Sequence, residues 1–320
     1  MKLAWLGWIA FGKLLVLGAL AAGVEPALPA GGGQSQAADG CVVLPSATNA
    51  VQLRLYTYAS PQSGHLFNTI ELRAGPAVLL ASPAGEALRQ LLSKPDTART
   101  AHPLLVDGLG PQLDATGSVR VIEEAAGPDW RYAGIEAGGA YRGRLSRFHR
   151  GILYVAPNFF AIYDHLEARD PASFQMFLHP PTVARVDKLW GDIRIKLPDA
   201  GLVIACPAPG KQRRAWAQVD SPADSILPGT TTMTLALTNK ASELDMITIL
   251  GVQGDRQTPQ FASKFLESNT AVGARVYRDG LPTLVAFRRP SVDQPGGLTG
   301  FSFTGPVGVA VFVPKPKPAQ

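Results

Sequence analysis

The chain has 320 residues, 46% of them hydrophobic and 17% charged, with a formal net charge of +5. A core of ordinary size is available, and the 33 glycines and 27 prolines are scattered without period, which excludes a disordered or collagen-like chain. Two cysteines and five histidines exclude a disulfide-stapled scaffold and a zinc-finger array, and the lack of a Lys/Arg-rich run excludes nucleic acid as a partner.

Lys2 precedes an apolar stretch, Leu3 to Val24, broken only by glycines and Lys13; within it Leu14 to Val24 has the composition of a signal-peptide hydrophobic region. Small-residue cleavage patterns follow at Ala19-Leu-Ala21 and Ser35-Gln-Ala37, and the second is the expected site, so 1–37 reads as a signal peptide. The alternative is an uncleaved anchor with Lys13 snorkelling, and only then is a membrane a partner. Either way the folded part is expected to be periplasmic or secreted. Ala38-Asp-Gly-Cys41 carries Asp where a lipobox needs a small residue, and 38–50 reads as a linker. Outside the cytoplasm Cys41 and Cys206 could form one disulfide or remain two buried thiols, and the sequence leaves both readings open.

From Val51 on, the chain reads as strands. Val51, Leu53 and Leu55 alternate with Gln52, Arg54 and Tyr56, the period of a half-buried strand. The same pattern recurs over 68–73, 118–122, 130–135, 173–178, 193–197 and 231–238. Denser apolar runs at 151–155, 159–163 and 246–250 suit strands buried on both faces. Asp279-Gly280 between two apolar stretches predicts a hairpin over 274–287, and 307–313 reads as the closing strand. Helix signals are confined to Pro83–Leu92, with Ser82 as its cap, and to Ala262–Ser268. The expectation is an all-β protein, a large antiparallel β-sandwich over 51–313 with few short helices, followed by an extended basic tail at 314–320.

Three stretches occur in a suggestive order. The first is Tyr58 to His65 followed by Asn68 to Gly75; the second is Thr100-Ala-His-Pro to Gln112, containing Asp107-Gly108; the third is Arg150 to Ala168, closed by Phe174 to His179. Together they resemble the C-terminal β-sandwich domain of the heparinase II/III-like polysaccharide lyases. The resemblance implies a catalytic role for His65 and a metal-ligating role for His102. It also carries departures. Val51 opens the first expected strand, which leaves no room ahead of it for the helical toroid of the family; Ser82 stands near its acidic metal ligand, and Pro103 follows His102. A zinc centre needs at least three protein ligands, so zinc is the metal implied but the site is incomplete and no cofactor is expected.

The concentrated basic segment is Tyr141 to Arg150, with Arg142, Arg144, Arg147, His149 and Arg150 interleaved with Tyr141 and Phe148. Guanidinium forks grip carboxylates and sulfates, so Arg142, Arg144, Arg147 and His149 are candidate glycan contacts; a solvated strand edge is the bland alternative. Asp107 reads as a turn residue bonding nearby backbone, and Asp164 and His179 as structural. The functional expectation is an exported heparinase II/III-like protein that binds acidic polysaccharide or serves as an accessory component of a polysaccharide lyase system. The alternatives are a lyase cleaving uronic-acid glycans by β-elimination, alone or with a separate toroid subunit, and a structural envelope protein. Stand-alone lyase activity is doubted, because β-elimination needs a base, an acid and a group that neutralises the uronate carboxylate.

Overall fold

In the computed structural model the described residues are 41–45, 50–56, 68–82, 104–111, 119–141, 143–157, 159–181, 185–189, 192–207, 214–220, 227, 229–237, 239–253, 261–278 and 281–312. All of them lie in one compact unit, Ser35–Gln320. Alternation along the sequence becomes alternation in space: Val51, Leu53 and Leu55 are buried while Gln52 and Arg54 are half-exposed. They sit on β2 (Val51–Tyr56), which pairs antiparallel with β1 (Cys41–Pro45) and β3 (Ile70–Ala74); β4 (Ala77–Leu80) completes this first sheet. The stretch 38–50, read as a linker, therefore contains a strand, and its Val42 and Leu44 are buried.

A second four-stranded sheet has β5 (Leu104–Val106) and β14 (Arg214–Asp220) at its edges, with β10 (Phe174–Leu178) and β15 (Thr231–Leu237) inside. The central sheet has eight strands. Its order is β11 (Arg185–Leu189), β12 (Asp192–Lys196), β13 (Gly201–Ala205), β16 (Ala241–Gln253), β9 (Phe159–Ala172), β8 (Leu145–Val155), β7 (Trp130–Glu136) and β6 (Arg120–Gly127). A further sheet runs β17 (Phe261–Glu267), β18 (Ala271–Arg278), β19 (Leu281–Arg288), β22 (Val307–Val311), with the small hairpin β20 (Gly296–Leu298) and β21 (Phe301–Phe303) beside it.

The dense apolar runs occupy the middle of the central sheet because both its faces are covered. Phe148, Ile152, Phe160, Ile162 and Leu250 point one way and share a core with Leu53, Leu72, Leu104, Phe174 and Met233 of the first two sheets. Leu153, Ala161, Tyr163, Ile247 and Ile249 point the other way, against Val272, Ala274, Val285 and Phe287 of the β17–β22 sheet. Each such side chain stabilises the fold by about 1.5–3 kcal/mol when fully buried.

The all-β expectation is correct, and the described residues contain no α-helix, only a 3-10 turn at Gly138–Tyr141. Ala262–Ser268, expected as a helix, falls on β17. Phe265 packs on the core shared with the central sheet and Leu266 on the core of the opposite face, a split between neighbours that a strand makes and a helix does not. The Asp279-Gly280 turn itself lies outside the described residues, but Arg278 pairs with Leu281 and so brackets the expected hairpin. Cys41 and Cys206 are not joined in a disulfide, which settles the open choice. The segments read as signal peptide (1–37), helix (83–92) and basic tail (314–320) lie outside the described residues.

Candidate functional site

Of the expected site residues, His65, His102 and Arg142 lie outside the described residues. Their chain neighbours, however, meet at one corner on the face of the central sheet that looks toward the first sheet. Register sets Arg150 of β8 opposite Asp164 of β9. Arg150 Nε and Nη2 donate to Asp164 Oδ1 and Oδ2 at 2.6 and 3.0 Å, and Nη1 donates to the Asn68 carbonyl at 2.7 Å. Phe148 lies under the guanidinium, its ring centre 5.3 Å away. Asn68 has φ +60°, a conformation that asparagine tolerates better than other side chains, and is fully buried. Its amide Nδ2 and Oδ1 have no hydrogen-bond partner, and neither has the buried Nη1 of Arg144. Tyr141 Oη donates to the Leu104 carbonyl at 3.1 Å, and burial raises its pKa. The first and third family-like stretches are thus tied through Asn68 and Arg150. The second joins them through Leu104.

Beside Asn68, the hydroxyls of Thr69 and Ser82 share a hydrogen bond of 2.6 Å. Ser82 is the residue nearest the family's acidic metal ligand, and a hydroxyl already engaged with Thr69 does not replace a carboxylate. Asp107, φ +49°, accepts from the Ser173 backbone N–H and hydroxyl at 2.9 and 3.0 Å, bonds that hold its carboxyl below the usual range. It therefore braces a neighbouring strand end, where local backbone was expected. His179 is buried, with its Nδ1 3.5 Å from the Thr232 hydroxyl, in keeping with a structural role.

Arg144, Arg147 and His149 do not converge on solvent as one patch. Arg144 Nη2 donates to the Gly110 carbonyl at 2.5 Å, and Arg147 Nη1 to Glu167 Oε1 at 2.8 Å. His149 is 2% exposed. Burial, and then the nearby charges of His165 and Arg147, push its pKa down to about 4. Tyr132 donates to Glu123 at 2.7 Å, so its oxygen accepts from His149 Nε2–H at 3.2 Å, and His149 Nδ1 is left as a buried acceptor without a partner. The glycines opposite make this geometry feasible: a Cβ at Gly151 would stand 2.8 Å from the Tyr132 ring, and one at Gly134 2.8 Å from its hydroxyl.

His149 belongs to a second polar cluster on the opposite face of the central sheet. Along β9, Tyr163, His165 and Glu167 follow one another on this face. Tyr163 Oη donates to Asp245 Oδ1 at 2.7 Å; His165 Nδ1 lies 2.9 Å from the same oxygen and Nε2 3.1 Å from Glu167. Only an imidazolium satisfies both carboxylates. Burial pulls the His165 pKa down, but the bonds and charges of Asp245 and Glu167 outweigh it and the net shift is upward. Burial would raise the Asp245 carboxyl, yet His165, Tyr163 and Arg289 together hold it below its ordinary value. Arg289, just past β19, is bonded to Asp245 and lies 3.6 Å from Glu243 and 3.8 Å from Glu267. His165, Glu243 and Asp245 have donor atoms within 4.8 Å of one another, a spacing open to a metal, but the Arg289 guanidinium already supplies the cation. The network joins the central sheet to the β17–β22 sheet. Sequence reasoning missed Asp245 and Arg289; an Asp inside the apolar run from Leu244 to Leu250 was the available signal.

No protein-family model and no curated protein matches the chain. Solved structures do. A heparan sulfate lyase HepC mutant from Pedobacter heparinus superposes with a TM-score of 0.58 at 13% identity, covering 78% of this chain and 41% of that one. A second structure of that lyase gives 0.56 at 12%, covering 74% and 39%. A heparinase III structure gives 0.59 at 14%, again covering 78% and 41%. The fold is that of the heparinase β-sandwich. The chain spans about two-fifths of the length of the lyases it matches, at 41% for heparinase III.

Proposed function

We propose that the protein is an exported, heparinase-like β-sandwich that binds acidic polysaccharide or serves as an accessory component of a polysaccharide lyase system, in the periplasm or secreted. The observation that carries the reading is the fold likeness to heparinase III over 78% of this chain. Arg142, Arg144 and Arg147 are the proposed contacts, Arg144 and Arg147 being half-exposed, whereas His149, expected with them from the sequence, is 2% exposed and is not among them. The reading calls on no cofactor.

A lyase that completes its cleft with a separate toroid subunit is the second reading, and one observation favours it. The structures that share the fold include a heparan sulfate lyase, of whose length this chain covers 41%. One experiment separates the readings. The purified protein is titrated with heparin and with polygalacturonate at low and high salt, and the mixtures are followed for the absorbance of unsaturated uronate ends. Expected are binding that weakens with salt, because exposed charges are screened within about 10 Å at 0.1 M, weaker binding by Arg144→Ala/Arg147→Ala, little change with His65→Ala, and no cleavage. Robust cleavage abolished by His65→Ala would establish the lyase. No binding to either glycan would leave a structural envelope protein.

A further inference from the structure

The outer face of the β17–β22 sheet carries a cluster that neither polar site explains. On β17 and β18, Lys264 is the direct cross-strand partner of Arg275. Like charges set opposite each other repel, and among the described residues neither has an ion-pair partner, while Arg275 Nε is buried without a hydrogen-bond partner. The neighbours on this face are small or apolar, Ala262, Leu284 and Ala310, with no acid among the described residues.

Two residues further along, about 6.8 Å at strand rise, comes a row of rings. Tyr277 pairs with Pro282, and the Phe312 backbone N–H bonds the Pro282 carbonyl at 2.9 Å, so Tyr277, Pro282 and Phe312 stand side by side on adjacent strands. Tyr277 is 41% and Phe312 42% exposed, among the most exposed large hydrophobic side chains described. Their strands are two apart, which spaces the rings by about 10 Å across a flat surface. The β20–β21 hairpin, whose Phe301 and Phe303 cover Gly308, protects the other end of the face and leaves this end open.

We infer that Tyr277, Pro282 and Phe312 form a stacking platform for a polyanionic glycan, with Lys264 and Arg275 as its anion contacts: a second binding surface, on a different sheet from the β8 segment. The inference rests on the proposed acidic-glycan function and adds where the chain is held. Flat rings stack on the apolar faces of sugars, and the carboxylates or sulfates of an acidic chain would neutralise the opposed cations.

The test uses the full protein, with heparin oligosaccharide, polygalacturonate and neutral dextran as probes in calorimetric titration. Tyr277→Ala/Phe312→Ala is expected to weaken binding to both acidic probes about tenfold, the scale of two lost aromatic contacts. Lys264→Ala/Arg275→Ala is expected to weaken binding and to flatten its salt dependence, and dextran to bind more weakly than either acidic probe. All four positions lie on the outer face, so thermal melting serves as the control for folding. Binding by both double variants equal to that of the unaltered protein, with loss confined to Arg144→Ala/Arg147→Ala, would overturn the platform and leave the functional reading standing. No binding by the unaltered protein would overturn both. Equal affinity for dextran would overturn the role of Lys264 and Arg275.

Discussion

Asp164→Ala is the substitution whose cost the structure fixes most tightly. It leaves the Arg150 guanidinium, with a side chain 3% exposed, facing a void where a two-point carboxylate had been. Arginine cannot escape by losing a proton, so the charge stays buried with the Asn68 carbonyl and the Phe148 ring as its remaining partners. Removing one member of a buried pair costs about 3–5 kcal/mol, against about 0–1 for an exposed pair. For a domain of this size the loss lowers Tm by about 6–20 °C, at about 2–4 °C per kcal/mol. Urea titration, with Tm in parallel, measures it. Replacing both partners, as Arg150→Met with Asp164→Leu, removes the orphaned charge and should recover most of the loss. A cost below about 1 kcal/mol for Asp164→Ala would show that water reaches the pair and refute its burial.

Acid should destabilise the protein partly through His149. Its folded pKa of about 4 lies below the ordinary 6.5, so the unfolded chain takes up a proton first and stability falls as pH drops from about 6.5 to 4, by about 3 kcal/mol in all. His149→Gln should flatten that limb in urea midpoints measured against pH; an unchanged slope would contradict the buried neutral imidazole. His165 has the opposite sign: its raised pKa adds stability that is fully present below about 6.5 and is lost as pH rises through the folded value, so His165→Gln should cost less in alkaline than in mildly acidic buffer. Gly151→Ala should cost about 1–3 kcal/mol, since the new methyl would stand 2.8 Å from the Tyr132 ring; a neutral effect by thermal melting would show that Tyr132 is free to move.

The strand pattern was legible wherever one face is buried and the other wet, as along Val51–Tyr56, or where both are dry, as along Phe159–Tyr163. It failed on short or mixed pieces. Cys41–Pro45 has five residues after a glycine-rich stretch, too few for a period to declare itself. Ala262–Ser268 has alanine, lysine, leucine and glutamate, all good helix formers, and only pairing along the edge of β18 makes it a strand. Tertiary context overrides propensity there because Phe265 and Leu266 each have a core to enter, on opposite sides. The family-like stretches were readable as an ordered set, whereas their meeting through the Asn68 carbonyl and the Arg150 side chain depends on contacts 82 residues apart in the chain.

The distribution of charge was the hardest feature to read, and register explains why. Five basic side chains within Arg142–Arg150 look like a patch on paper. Yet β8 lies antiparallel to β9, and the register places Arg147 opposite Glu167 and Arg150 opposite Asp164. A cation count along one strand overstates the field wherever the neighbouring strand answers it. The converse holds at Lys264 and Arg275, eleven positions apart by number and in no basic run, which the β17–β18 pairing sets face to face with no acid across. A net charge of +5 must appear somewhere as unanswered cations. On the described surface these two form an opposed, unpaired couple, and it adjoins the exposed Tyr277 and Phe312 rings. Where unanswered positive charge gathers on the surface is thus decided less by where arginines crowd the sequence than by which cations the sheets leave without a partner.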